Sequence, residues 1–135
     1  MHEVVVAALL REGQVLLVHR SPTRRAYPDV WDLPGGHVET GETELAALSR
    51  EIQEELDVQI ATASAIHLCR LDISRGGETV RLSAWLVGEW RGTPTNVAPD
   101  EHDDVRWFRP GELPPFAHEG LGSALLEAMR GLGDC

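Results

Sequence analysis

The chain has 135 residues, and its formal net charge of −10 at pH 7 argues against a generic nucleic-acid or membrane surface. This length predicts one domain over residues 1–135 with a core of its own. Cys69 and Cys135 lack metal-ligand spacing and are too few for a disulfide framework, so we expect free thiols in a reducing compartment. The N-terminus has no basic leader and no apolar run reaches membrane-spanning length, which predicts a cytoplasmic protein.

The pattern of apolar residues predicts strands and helices separated by loops that are rich in Gly, Pro and charge. In chain order, strands are expected at residues 4–10, 15–18, 66–73, 79–89 and 105–108. Loops are expected at residues 21–32 and 91–101, and helices at residues 43–56 and 121–129. This mixture predicts an α/β fold in which a sheet is sandwiched between helices.

The predicted helix at residues 43–56 carries carboxylates in its C-terminal half, where the helix dipole disfavours them. Glu51 is spaced three and four residues from Glu54 and Glu55, so the three side chains can converge on one point. Like charges at this range repel unless a proton or a metal ion intervenes. Hard oxygen ligands of this kind suit Mg²⁺ or Mn²⁺. On this pattern alone, an ordinary solvated helix face stays open as the alternative.

The run from Gly36 to Val58 resembles the Nudix box, G-x5-E-x7-R-E-U-x-E-E-x-G-U, in which U is apolar. The matching residues are Gly36, Glu42, Arg50, Glu51, Ile52, Glu54, Glu55 and Val58. Residues 31–36 and 103–108 also look like Nudix surroundings. The resemblance implies an α/β/α sandwich with a mixed sheet.

One position departs from the family pattern, because Asp57 replaces the glycine that precedes the last apolar residue of the box. A glycine just past a helix commonly adopts the left-handed conformation. Asp is one of the few other residues that tolerate this region. We therefore expect Asp57 to have a positive φ and to be a tolerated substitution.

The resemblance implies a metal-dependent pyrophosphohydrolase in which water attacks a phosphorus atom of a nucleoside diphosphate-linked substrate. It implies metal ligands from the carboxylates of Glu51, Glu54 and Glu55 and from the carbonyl of Gly35, with one glutamate as general base. Gly36 is expected to be a structural part of the box, and Glu42 either holds the structure of the box or binds an outer-sphere water of the metal ion. Arg50 either orients the neighbouring carboxylates or forms a simple intrahelical ion pair.

Some Nudix enzymes add a carboxylate from the loop before the last strand, and Asp100 and Glu101 both qualify here. Glu101 is the favoured ligand, with a solvated acidic loop as the alternative. The five histidines that follow the first strand show no ligand spacing; they are His19, His37, His67, His102 and His118.

Three residues outside the box are candidates for substrate binding. Trp31 either stacks on a base or packs its loop against the core. Asn96 either reads a base edge or caps its own loop. Arg20 either grips a phosphate or forms a surface ion pair.

The expected substrate is a (deoxy)nucleoside triphosphate, including oxidised forms, cleaved to the monophosphate and pyrophosphate. A coenzyme A hydrolase is one alternative, since residues 16–25 and 33–36 partly fit its upstream pattern, with Asp29 and Leu33 at its glycine and phenylalanine. Hydrolysis of a nucleotide sugar or dinucleotide, and a non-catalytic nucleotide-binding domain, are the others. The expected partner is thus a nucleotide, with no nucleic-acid polymer or membrane, and a homodimer stays open.

Overall fold

The first two strands of the chain consist mainly of apolar residues, and successive side chains pack into two cores on opposite faces of a sheet. In the computed structural model, which describes residues 2–24 and 28–133, nine strands are present in those ranges. They are β1 (His2–Arg11), β2 (Gln14–Arg20), β3 (Trp31–Asp32), β4 (Gly35–His37), β5 (Gln59–Ile60), β6 (Ile66–Arg75), β7 (Glu78–Val87), β8 (Trp90–Arg91) and β9 (His102–Phe108). The two α-helices are α1 (Glu44–Leu56) and α2 (Glu119–Gly133), and short 3₁₀ turns occur at Thr62–Ser64 and Pro110–Glu112.

The main sheet is mixed, as predicted, and β1 lies at its centre. Strand β1 pairs in parallel with β7 and antiparallel with β2 and β4. Strand β6 continues the sheet beyond β7, while β3 and β9 both pair with β2. Strands β5 and β8 form a separate two-stranded sheet. Strand β4 pairs with β1 itself and β9 pairs with its neighbour β2, so the box loop and the last strand are brought to one region.

The two helices cover opposite faces of the sheet, which confirms the predicted α/β/α sandwich. On one face, Val5 and Leu9 of β1 pack with Leu48 and Ile52 of α1. On the other face, alternate residues of the same strand, including Val6, belong to a second core that α2 completes. Strand β1 is therefore a continuous apolar run because both of its faces are buried.

Helix α1 is held at both of its ends. Thr43 is the N-cap, and its side chain accepts a hydrogen bond from the amide of Ala46. Asp57 caps the C-terminus in the predicted left-handed conformation, with φ 56° and ψ 39°. Two carbonyls of the last turn, those of Glu55 and Leu56, accept hydrogen bonds from the amides of Val97 and Thr95 at 3.0 and 2.9 Å. The loop before β9 is thereby fixed against the end of α1.

Most predicted elements are observed, and the differences lie where pairing extends a strand. Strand β3 falls inside the loop predicted at residues 21–32, because Trp31 and Asp32 pair with β2. Strand β9 begins at His102 rather than at residue 105, since His102 still pairs with Arg20. Cys69 is a half-buried free thiol, and Cys135 lies outside the described residues. Within the described ranges, no helix is long and apolar enough to cross a membrane.

Candidate active site

A cleft with a volume of about 350 Å³ is lined by residues of α1, β1, β4 and the start of β9. One part of its wall is charged or polar and consists of Arg20, Arg24, Asp32, His37, Glu51, Glu55, Glu101, His102 and His118. Another part is apolar and consists of Val4, Val6, Leu33, Ile73, Val80 and Leu82. Gly35 and Gly36 complete the lining. This volume lies within the usual range for small-molecule sites, roughly 300–1,000 Å³.

Glu55 is a buried carboxylate at the end of α1, with a relative exposure of 3%. Its Oε2 accepts a hydrogen bond from the amide of Gly35 at 3.0 Å. Burial, the charges of Glu101 and Glu51 and a hydrogen bond shared with Glu101 raise the pKa of Glu55 to about 9. In the absence of a cation the folded protein therefore holds a proton on Glu55 at neutral pH.

Glycine is required at positions 35 and 36, because backbone atoms lie close to Gly35 and a carboxylate lies close to Gly36. A Cβ atom at Gly35 would lie 2.0 Å from the carbonyl oxygen of Val5 on the paired strand β1. A Cβ atom at Gly36 would lie 2.4 Å from the carboxylate of Glu51. The glycine pair thus lets β4 pack on β1 and leaves room for Glu51 to point into the cleft.

Arg50 is not part of the cleft wall and instead connects box residues to one another. Its Nη1 donates to Glu51 Oε1 at 2.8 Å, and its Nε and Nη2 donate to the two carboxylate oxygens of Glu42 at 3.0 and 2.9 Å. Its Nη2 also donates to the carbonyl of His37 at 3.0 Å. The hydrogen bonds from Arg50 lower the pKa of Glu42 to about 2. These contacts favour the orienting role of Arg50 over a simple intrahelical pair.

The three glutamates of the helix do not all point into the cleft. Glu51 and Glu55 line it, and burial raises the pKa of Glu51 although the hydrogen bond from Arg50 lowers it. The side chain of Glu54 is 60% exposed and lies 3.6 Å from Nη1 of Arg50. The predicted convergence is therefore seen for Glu51 and Glu55, while Glu54 is at the rim of the site.

The loop before β9 contributes Glu101, and the first residue of β9 contributes His102, for which the sequence shows no ligand spacing. Oxygen atoms of Glu55 and Glu101 and a nitrogen of His102 all lie within 4.8 Å of one another. His102 Nε2 is 3.5 Å from Glu55 Oε1, and burial lowers the pKa of His102 to about 4. Asp100 is exposed and does not line the cleft, so the structure favours Glu101 of the two candidate acids.

The three substrate-binding candidates are placed differently. Arg20 lines the cleft, where burial lowers the pKa of its guanidinium. Trp31 lies outside the cleft lining and packs edge-on against Phe108, with ring centroids 5.1 Å apart. Asn96 also lies outside it; its side chain donates to the carbonyl of His102 at 2.8 Å and accepts from the amide of Ala98. Trp31 thus packs its loop and Asn96 caps its own loop, and their part in substrate binding stays a prediction.

Asp32 is a further carboxylate of the cleft, and it was not among the candidate site residues of the sequence. Burial raises its pKa to about 6, although the charge of Arg20 and the amide of Leu33 oppose this shift. The Leu33 amide donates to Asp32 Oδ1 at 2.8 Å. Its position next to the Leu33-Pro34-Gly35-Gly36 run is the only sequence signal that marks it.

The donor set of the cleft fits a divalent metal ion. Glu51, Glu55 and Glu101 bring carboxylate oxygens to one cleft, and burial together with the charges of Glu101 and Glu51 raises the pKa of Glu55. A cation at this point would remove that repulsion, and carboxylate oxygens are ligands that Mg²⁺ and Mn²⁺ prefer. Gly35, whose amide contacts Glu55, adds a backbone group with no side chain in the way.

Comparison with known proteins identifies the family of the chain. The family model of the NUDIX domain matches residues 1–128. The chain is 32% identical over 132 residues to the CTP pyrophosphohydrolase of Escherichia coli, across 98% of this chain and 93% of that protein. It is 34% identical over 113 residues to the putative 8-oxo-dGTP diphosphatase 2 of Mycobacterium tuberculosis, across 84% and 77%. The structure of the MutT NUDIX hydrolase from Burkholderia pseudomallei matches with 33% identity and a TM-score of 0.82, over 93% of this chain and 95% of that chain.

The chain therefore belongs to the Nudix hydrolase family, whose members act on phosphoanhydrides and typically use a divalent metal ion. Its relatives are named for nucleotide substrates. The fold is that of the MutT-like Nudix proteins.

Proposed function

We propose that this protein is a Mg²⁺- or Mn²⁺-dependent pyrophosphohydrolase that cleaves a (deoxy)nucleoside triphosphate to the monophosphate and pyrophosphate. The observation that carries the proposal is the composition of one cleft. Facing carboxylates, among them Glu51 and Glu55, share it with the guanidinium groups of Arg20 and Arg24 and with an apolar wall. The carboxylates and guanidinium groups suit a triphosphate with its metal ion, and the apolar wall suits a nucleobase.

The carboxylates of the site divide into ligands and a proton acceptor in this proposal. Glu55 and Glu101, with Glu54 at the rim and the carbonyl of Gly35, hold the metal ion. When bound, the ion neutralises phosphate charge and lowers the pKa of the attacking water. Glu51 accepts the proton of that water, since it faces the cleft and Arg50 holds only one of its oxygens, Oε1. Such proton transfer contributes about 10²–10⁴-fold to a rate.

The substrate is positioned by the remainder of the wall. Arg20 and Arg24 bring positive charge to the cleft of a strongly acidic chain, and we assign them to the phosphates. The base lies against the apolar wall, whose side chains include Leu33, Ile73 and Leu82. The names of the two relatives, for CTP and 8-oxo-dGTP, support a nucleoside triphosphate over a coenzyme A or dinucleotide substrate.

A substrate screen tests the proposal. The protein is incubated with Mg²⁺ and each of the common and oxidised (deoxy)nucleoside triphosphates, with coenzyme A, ADP-ribose and dinucleoside polyphosphates alongside, and pyrophosphate and orthophosphate are measured separately. We expect pyrophosphate from a triphosphate, none in excess EDTA, and a loss of at least about 100-fold in turnover for Glu51→Gln and Glu55→Gln. Arg109→Gln, at an exposed residue outside the cleft, is the matched control and should retain turnover.

Other outcomes contradict the proposal in distinct ways. Cleavage of only coenzyme A or a dinucleotide would retain the reaction class and overturn the substrate. Nucleotide binding without any hydrolysis would establish the non-catalytic alternative. Full activity in EDTA would overturn the metal dependence.

A further inference from the structure

His102 is a buried imidazole that lies beside the carboxylates of the proposed metal site. The residue is 3% exposed and lines the cleft. Its Nδ1 is buried and has no hydrogen-bond partner among the described residues. Its Nε2 faces Glu55 Oε1 at 3.5 Å, which is longer than a normal N–H···O hydrogen bond of about 2.7–3.2 Å. The ring is thus placed inside the site with its Nδ1 unpartnered among the described residues and its Nε2 towards Glu55.

The backbone holds this ring in place on several sides. The amide of His102 donates to the carbonyl of Ala98 at 3.0 Å, and its carbonyl accepts from Asn96 Nδ2 at 2.8 Å. The preceding carbonyl, that of Glu101, accepts from the amide of Ser21 at 3.0 Å. The loop before β9 is also hydrogen-bonded to the last turn of α1 through the amides of Thr95 and Val97. These bonds fix the backbone of His102, so that its ring is preorganised to contact an ion between Glu55 and Glu101.

The spacing of the donor atoms fits one metal ion. Ligands at bond lengths of about 2.1 Å are separated by about 3.0 Å at right angles and about 4.2 Å on opposite sides of an octahedral ion. The 3.5 Å between His102 Nε2 and Glu55 Oε1 falls inside this interval. Nitrogen and oxygen atoms of His102, Glu55 and Glu101 all lie within 4.8 Å of one another. A neutral imidazole offers one ring nitrogen with a lone pair, which is the form in which histidine binds metal ions.

We propose that His102 is a metal ligand, so that the ion between Glu55 and Glu101 has a mixed nitrogen and oxygen site. This inference rests on the proposed metal-dependent function and extends it to ion selectivity. Imidazole suits first-row transition metals, whereas Mg²⁺ prefers carboxylates, carbonyls and water. The site therefore binds Mn²⁺ and, more strongly, Co²⁺ in preference to Mg²⁺.

Electron spin echo spectroscopy of the Mn²⁺-loaded protein tests the inference directly. We expect modulation from a coordinated nitrogen that changes when the histidines are labelled with ¹⁵N, is lost in His102→Gln, and is retained in His118→Gln. His118 is the matched control because it also lines the cleft. A wild-type protein that binds Mn²⁺ without histidine modulation would overturn the inference, as would modulation that persists in His102→Gln.

Metal titration by calorimetry gives an independent readout. His102→Gln should weaken Co²⁺ binding by at least about tenfold, the lower end of what loss of a group supporting a ligand costs, and Mg²⁺ binding by less. Equal weakening of both ions would indicate a purely structural role and overturn the inference. If the variant does not fold, as judged by circular dichroism, the spectrum of the wild type decides alone. Mg²⁺-dependent hydrolysis without histidine modulation would overturn this inference only, whereas absence of both Mn²⁺ binding and hydrolysis would overturn the proposed function as well.

Discussion

Replacement of Glu55 by Gln should stabilise the metal-free protein, because the native carboxylate is buried beside other acids. The amide side chain keeps an oxygen that can accept from the amide of Gly35, a contact of 3.0 Å in the structure. It also supplies an N–H group towards Glu101, where the wild type needs a proton. We therefore expect the substitution to raise the free energy of unfolding in EDTA.

The size of this effect follows from the pKa of Glu55, which is raised from 4.5 to about 9. The folded state binds a proton that the unfolded state releases, so wild-type stability falls as pH rises from about 4.5 towards 9. At pH 7 this costs up to about 3 kcal/mol, since each pH unit above 4.5 contributes about 1.4 kcal/mol. The gain in Glu55→Gln should accordingly approach 3 kcal/mol at pH 7 and nearly vanish at pH 4.5.

Urea unfolding followed by tryptophan fluorescence at pH 5, 7 and 8 in EDTA measures the gain. Glu54→Gln is the control on the same helix, because its side chain is 60% exposed, and a surface change of this kind is usually within about 0.5 kcal/mol. If Glu55→Gln is as stable as the wild type at pH 7, or less stable, then burial of the Glu55 carboxylate does not destabilise the metal-free protein. A gain that does not grow with pH would show that carboxylate burial is not its cause.

The remaining predictions use the same purified variants. Mg²⁺ at a hundredfold excess over its dissociation constant should add about 3 kcal/mol to wild-type stability, and thermal melts of Glu55→Gln should show much less; an equal increase would contradict the site. Asp57→Gly should leave stability unchanged or slightly higher, and Asp57→Val should lower it by about 1–2 kcal/mol, because Asp57 has φ 56°; urea unfolding checks both. Gly36→Ala should reduce turnover by at least about 100-fold, because its Cβ would displace the Glu51 carboxylate; near-normal kcat would contradict this.

The box helix and its termini could be predicted from the sequence because their signals are local. Apolar spacing and the left-handed conformation of Asp57 each depend on neighbouring residues, and the structure shows both, although Thr43, expected as the first helical residue, is the N-cap. The strands at residues 4–10 and 15–18 are likewise predicted by local apolar patterns, whereas the mixed sheet is implied by the Nudix resemblance. Element ends were less accurate: pairing with β2 adds three residues to the start of β9 and makes β3 from a predicted loop.

The composition of the cleft depends on tertiary packing and was predicted only in part. The helical spacing of Glu51, Glu54 and Glu55 does not say which of them faces the sheet, and the docking of α1 on β1 leaves Glu54 exposed. His102 is 47 residues from Glu55 in the sequence, and tertiary contacts, including the hydrogen bonds between the loop before β9 and the end of α1, bring the two together. No spacing rule could have found this pair.

The most direct test of the central claim is ³¹P NMR of CTP incubated with the protein and Mg²⁺ in ¹⁸O-labelled water, repeated with dCTP and 8-oxo-dGTP. We expect at least one of these triphosphates to give a nucleoside monophosphate and pyrophosphate, with ¹⁸O in one of the two products. No reaction is expected in EDTA or with Glu55→Gln. Release of orthophosphate, or the same rate for wild type and Glu55→Gln, would contradict it.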